Sequence, residues 1–259
     1  MPRGYGQFCP VAMACEIFAE RWTPLIVREL CAGRSQFNDI HKGVPLMSRT
    51  LLAQRLRDLV EAGVVTAEAK PEGRGQSYRL SAAGLAFCPI IDLLGDWGSQ
   101  FARGRIDRAS CDPAFLMWSL RSYVDRRLLP DHRLVVSFAF RGLDPGFPAQ
   151  YRYWLVAVDG DVDLCWADPG FESDVEIRAD VTRFAQVWLG HEGLAAARRD
   201  GSIEVEGPRE TTALVKRLLD LNDTPLPKVF HYVPPEAEGQ AGVAGACPDS
   251  PPRHAPYRR

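Results

Sequence analysis

Ser48-Arg49-Thr50-Leu51-Leu52-Ala53-Gln54-Arg55-Leu56-Arg57-Asp58-Leu59-Val60-Glu61-Ala62-Gly63-Val64-Val65 is the stretch whose reading decides the fold. Leu52, Leu56, Leu59 and Val60 recur at intervals of four, three and one, which lays a single apolar stripe along a helix. Ser48 supplies an N-cap and Gly63 a C-terminal stop. At about 100° per residue the opposite face carries Thr50, Ala53, Gln54 and Arg57, with Arg49 to one side. Directly behind it, Val64-Val65-Thr66-Ala67 and Gln76-Ser77-Tyr78-Arg79-Leu80 read as two short strands. They are joined by Pro71-Glu72-Gly73-Arg74-Gly75, a hairpin tip that carries a cation.

Upstream, residues 10–19 form a short apolar helix with Pro10 at its start. Thr23-Pro24 opens a second helix through Leu25, Ile26, Glu29 and Leu30, ended by Gly33. A third, short helix runs from Ser35 or Gln36 through Phe37 and Ile40 to about His41, where Gly43-Val44-Pro45 breaks it. Downstream, Ser81 starts one long helix through Leu85, Ile90, Ile91, Leu94 and Trp97. A short helix, a break, an amphipathic helix and then a Gly/Arg-tipped hairpin is the layout of a winged helix-turn-helix.

The polar face of the 48–63 helix has the chemistry a major groove requires. Arginine bonds guanine O6 and N7, glutamine bonds adenine N6 and N7, and threonine touches base or phosphate. The small Ala53 permits close approach. Ser48, Arg49 and Thr50 sit in the first turn, which makes contact when a helix enters the groove end-on. Arg74 on the hairpin tip reaches a phosphate or the adjacent minor groove, fixing register without reading sequence. Arg34 and Ser35, at a helix N-terminus, suit a further phosphate. The competing reading is an ordinary solvated helix face, and the hairpin behind the helix is what favours double-stranded DNA as partner.

Several segments resemble the HxlR-type winged-helix regulators: Cys9-Pro10-Val11-Ala12, Arg21-Trp22-Thr23, Leu25-Ile26-Val27-Arg28-Glu29-Leu30, Phe37-Asn38-Asp39-Ile40, Leu52 to Leu59, Glu61-Ala62-Gly63-Val64-Val65, Tyr78-Arg79-Leu80-Ser81, Gly84 and Asp96-Trp97-Gly98. The resemblance covers residues 9–105. It implies a homodimer built by the first and last helices, with one recognition helix per subunit in successive major grooves, roughly 34–36 Å apart. It also implies, for some members, a cysteine in the Cys-Pro motif that senses electrophiles or oxidants. Cys9 matches that position, and a helix N-terminus favours its thiolate. The other reading of Cys9 is a small packing residue in the dimer interface.

The 259 residues, with 46% hydrophobic and 25% charged, suit two globular domains. Residues 1–105 carry 13 Lys and Arg against 10 Asp and Glu, and the rest carry 18 against 23. The first part is therefore mildly cationic and the second acidic. Seven scattered cysteines with no Cys-x-x-Cys pair argue against a structural zinc site and for free thiols in a reducing compartment. Cys15 and Cys31 read as core residues. No apolar run is long enough to span a bilayer, so the expectation is a cytoplasmic protein with no membrane partner and no metal or cofactor.

Residues 112–230 read as an α+β domain with a mostly antiparallel sheet. A helix at 112–129 is followed by strands at 134–140, 153–158, 162–166 and 175–180. Asp159-Gly160 forms a hairpin turn between the second and third of these. Helices at 181–189 and 192–199, a strand at 203–206 and a helix at 208–221 complete it. The stretches at 174–180, 184–190 and 200–207 resemble sterol carrier protein-type domains. That implies an apolar tunnel for lipids or other hydrophobic molecules. Phe138, Phe140, Trp154, Trp166, Phe184 and Trp188 either line such a cavity or fill the core. A hydrophobic small-molecule effector bound there would alter DNA binding only by preferring one of two states. Residues 234–259, rich in Pro, Gly and Ala, read as a disordered tail.

No Gly-rich phosphate loop or Gly-x-Ser-x-Gly is present, and His191-Glu192 has Ala at position 195 where a metalloprotease needs its second His. An enzyme is not expected. The residues leave room for a hydrophobic-ligand-binding protein whose winged helix contacts proteins, and for a thiol-based redox-sensing repressor acting through Cys9.

Overall fold

A computed structural model describes residues 4–69, 75–102, 106–143 and 151–225. They divide into two compact units, with the boundary between Trp97 and Gly98. The hairpin tip with Arg74 and the segment 234–259 lie outside the described residues. Among the described residues no helix is long and apolar enough to cross a membrane.

The N-terminal unit comprises α1 (Pro10–Phe18), α2 (Thr23–Cys31), α3 (Phe37–Gly43), α4 (Arg49–Glu61), β1 (Val65–Ala69), β2 (Gln76–Leu80), α5 (Ala82–Leu85) and the part of α6 (Cys88–Phe101) up to Trp97. Ile26, Ile40, Met47, Leu52, Leu56 and Leu59 are the centre of its core. Each such side chain contributes about 1.5–3 kcal/mol by leaving water, and together they clamp α2, α3 and α4. β1 and β2 pair antiparallel from Val65↔Leu80 to Ala69↔Gln76. The hairpin is tied back to the turn before α3 by a Gln36↔Ser77 bridge and by the Tyr78 amide donating to the Ser35 carbonyl at 2.8 Å. Gly84 lets α5 sit on the Val64 carbonyl, because a Cβ there would overlap that oxygen.

Two expectations are corrected here. The single long helix after Ser81 is two helices, interrupted at Ala86-Phe87. Pro89 has no amide hydrogen to donate back to Leu85, so the ladder cannot run through. Nor are all the cysteines free. Cys31, at the end of α2, is bonded to Cys88, at the start of α6, with Cα atoms 5.8 Å apart, whereas Cys9, Cys15 and Cys111 are free. Spacing in sequence gave no hint of the pair, because 57 residues separate its members. Cys88→Ser is expected to lower the unfolding free energy by about 2–4 kcal/mol under non-reducing conditions. Denaturant curves of the two proteins that coincide would show that the thiols do not pair in solution.

The C-terminal unit contains α7 (Pro113–Ser122), β3 (Leu134–Arg141), β4 (Tyr151–Val158), β5 (Asp161–Cys165), β6 (Val175–Asp180), α8 (Val181–Trp188), α9 (Leu194–Arg199), β7 (Ile203–Glu206) and α10 (Arg209–Leu218). Asp112 caps α7 by accepting the amides of Ala114 and Phe115. The helix expected at 112–129 stops at Ser122, and a short 3-10 turn at Arg126–Leu128 follows under its own cap, Asp125.

The five strands lie in the order β5-β4-β3-β6-β7. The sheet is mixed, which corrects the expectation of a mostly antiparallel one. β3 pairs in parallel with β6 from Val136↔Val175 to Arg141↔Asp180, while its other neighbour, β4, runs antiparallel. The β4–β5 turn was legible, since Asp159 and Gly160 both take the positive φ that a two-residue type I′ hairpin needs. The parallel pair was not, because it arises when the chain returns from β5 to the far edge of β3, and no local turn signal marks such a crossover. The central position of β3 explains why every residue from Leu134 to Phe140 is buried.

Candidate nucleic-acid interface

α3, the turn at 44–48 and α4 form the helix-turn-helix. Ser48 caps α4 by accepting the Leu51 amide at 3.2 Å. The first turn of α4 has no acidic residue, so the positive end of its dipole is left to attract anions. His41 of α3 closes the turn through its Nε2, 2.9 Å from the Met47 carbonyl. Burial pushes the His41 ring below its usual pKa, against the Met47 hydrogen bond and with help from the Arg49 charge. The ring therefore stays neutral at neutral pH and serves as an N–H donor in this turn.

Thr50, Gln54 and Arg57 are exposed along one side of α4, with Ala53 half-buried between them, while Leu52, Leu56 and Leu59 face the core. Arg49 is steered by α3: it donates to Asn38 Oδ1 at 2.6 Å and lies 5.0 Å over the Phe37 ring. Gln54 and Arg57 bond each other at 2.5 Å. Thus Ser48, Arg49, Thr50, Ala53, Gln54 and Arg57 come together on one surface.

The remaining residues expected at this site are placed differently. Arg34 is turned inward, where it pairs with Glu29 at 2.7 Å and is mostly buried. This corrects its expected role as a phosphate contact. The cause is Glu29 itself, an acid at 2% exposure that must be neutralised by its neighbours. Arg28 reaches it at 2.8 Å and also donates to the Gly43 carbonyl. Ser35 is tied to the hairpin through its carbonyl, and its Oγ accepts from Gln36 at 3.2 Å. Cys9 is exposed at the start of α1, and the Ala12 and Val11 amides hold its thiol below the usual cysteine pKa.

The six aromatics of the second half do not surround one cavity. Phe138 and Phe140 pack edge-on to Phe184 at 6.0 and 5.5 Å, as core. Trp154 opposes Ser137, not Phe138, so the alternation of the strand puts it on the other face of the sheet, beside Val135, Val156 and Cys165. Trp166 abuts Tyr153 and Trp188 abuts Tyr123. An apolar cleft does exist on the Phe138 face, but at the opposite end. It is lined by aliphatic side chains including Leu134, Val136, Leu155, Val162, Val215 and Leu218.

A capped helix with an exposed Arg/Gln/Thr face, set behind a short helix and flanked by a docked hairpin, defines a winged helix-turn-helix that binds DNA. Comparison with known proteins agrees. The model of the HxlR-like helix-turn-helix family matches residues 17–105. The uncharacterized HTH-type transcriptional regulator YvaP of Bacillus subtilis is 31% identical over 112 residues, covering 42% of this chain and 95% of that protein. The HTH-type transcriptional regulator YodB of the same organism is 30% identical over 95 residues, covering 36% and 85%. The solved reduced form of YodB matches at 29% identity with a TM-score of 0.32, covering 37% of this chain and 95% of that one. The chain belongs to the HxlR-like helix-turn-helix family, and it is a DNA-binding transcriptional regulator of that type.

Proposed function

We propose that the protein is a homodimeric regulator that places α4 of each subunit in the major groove, rather than a catalyst. The observation that carries the DNA contact is the cluster of Arg49, Thr50, Gln54 and Arg57 on the exposed face of α4. The dimer is supported by apolar side chains on two helices of the N-terminal unit. Val11, Met13 and Ile17 of α1 are exposed, as are Leu93 and Leu94 of α6, and α6 has no buried residue at all. Large apolar side chains left exposed along two helices are what a partner surface would cover.

Gel shift on the promoter of the protein's own transcription unit, at rising salt, tests the DNA reading. The logarithm of affinity should fall linearly with the logarithm of salt, with a slope of about −0.9 per phosphate contacted. Binding that ignores salt would instead favour a winged helix used for protein contact.

The proposal extends to the C-terminal unit, where a hydrophobic small molecule enters the cleft beside α10 and biases DNA binding. Its support is the wholly aliphatic lining and the resemblance to sterol carrier protein-type domains. As it stands the cleft is far smaller than the roughly 300–1,000 Å³ of ligand pockets. An effector of that size therefore requires the cleft to widen. Fatty or aromatic acids that leave the melting temperature unchanged would exclude it.

A further inference from the structure

Gln54 and Arg57 are linked to a longer chain of polar side chains on α4. The Gln54 amide nitrogen donates to Asp58 Oδ1 at 2.7 Å, and its amide oxygen accepts from Arg57 at 2.5 Å. Asp58 accepts from Arg55 at 3.1 Å with its second oxygen, and Arg55 reaches Glu20, between α1 and α2, at 2.6 Å. Only one orientation of the Gln54 amide satisfies these neighbours, because a carboxylate only accepts and a guanidinium only donates.

A glutamine reads adenine by offering both amide ends to one base. Here both ends are engaged within the helix surface. The guanidinium of Arg57 keeps its remaining N–H groups, and its partner Gln54 is a neutral amide that does not cancel its charge. Asp58 is compensated from behind by Arg55, which leaves it no reason to draw Arg57 away.

We propose that Gln54 is a positioning residue rather than a base reader. Backed by Asp58, it holds the Arg57 guanidinium for bidentate contact with the O6 and N7 of one guanine in each half-site. This rests on α4 being the recognition helix, and it replaces the assignment of adenine to Gln54.

Selection of bound sequences from a random duplex library tests it, using the full chain and the variants Arg57→Ala, Gln54→Ala, Asp58→Ala and Asp58→Asn. Thermal melting of each variant confirms folding; all three positions lie on the outer side of the helix. Arg57→Ala should reduce the preference for guanine at one position by roughly 5-fold to 150-fold. Gln54→Ala and Asp58→Ala should weaken the preference at that same position, and Asp58→Asn, which keeps an acceptor for the Gln54 amide, should restore it. A Gln54→Ala protein that loses an adenine elsewhere while keeping the guanine overturns the inference but leaves α4 as the reader. An Arg57→Ala protein as selective as the parent overturns both.

Discussion

Replacing Glu29 by alanine is expected to lower the unfolding free energy by about 3–5 kcal/mol, the range for removing one partner from a buried ion pair. Glu29 is nearly inaccessible and is held by Arg28 and Arg34. Without it, Arg28 and Arg34 lose the carboxylate they share at the junction of α2 and α3. Arg28 also bonds the Gly43 carbonyl at the end of α3, so the loss spreads to the helix that orients Arg49. Gly43 is part of the same arrangement, since a Cβ there would collide with the Glu29 carboxylate. Urea unfolding followed by far-UV circular dichroism measures the change. A loss below about 1 kcal/mol, the worth of an exposed pair, would show that the cluster is solvated.

Leu93→Asp should separate the proposed dimer. Leu93 is 66% exposed on α6, so a single subunit gains nothing by burying it and the substitution leaves the monomer core intact. A carboxylate at an apolar contact is costly to desolvate. Light scattering should report the mass of one chain, and affinity for a two-half-site operator should fall by roughly 10²–10⁴, the gain that linkage of two binding modules provides. Affinity for an isolated half-site should be unchanged. A parent protein that already scatters as a single chain would remove the basis for the proposal.

The N-terminal unit was legible because its signals are local. Ser48 and Gly63 bracket α4, the leucine stripe selects its buried face, and the break at 43–45 separates it from α3. The features that escaped depend on distance in sequence. Glu29 looked like any polar residue in a helix, and only the approach of Arg34 and Gly43 makes it a buried acid that withdraws Arg34 from the surface. The Cys31–Cys88 bond joins the end of α2 to the start of α6. Pro89 was visible, but the apolar period continues across it and hid the interruption between α5 and α6. In the second half the strand positions were readable from β-branched and aromatic runs. The partners of β3 were not, and with them went the faces on which Phe138 and Trp154 fall. A set of bulky residues cannot become a cavity until the register assigns each to a side.

α3, α4, β1 and β2 all lie between Cys31 and Cys88. The bond between those cysteines therefore makes the DNA-reading head a closed covalent ring, with α1 and α2 leading into its clasp and α6 leading out. A single protease cut anywhere in that ring opens it without releasing a fragment. The nicked protein would migrate as one species until a reductant undoes the clasp, and only then would its two pieces separate.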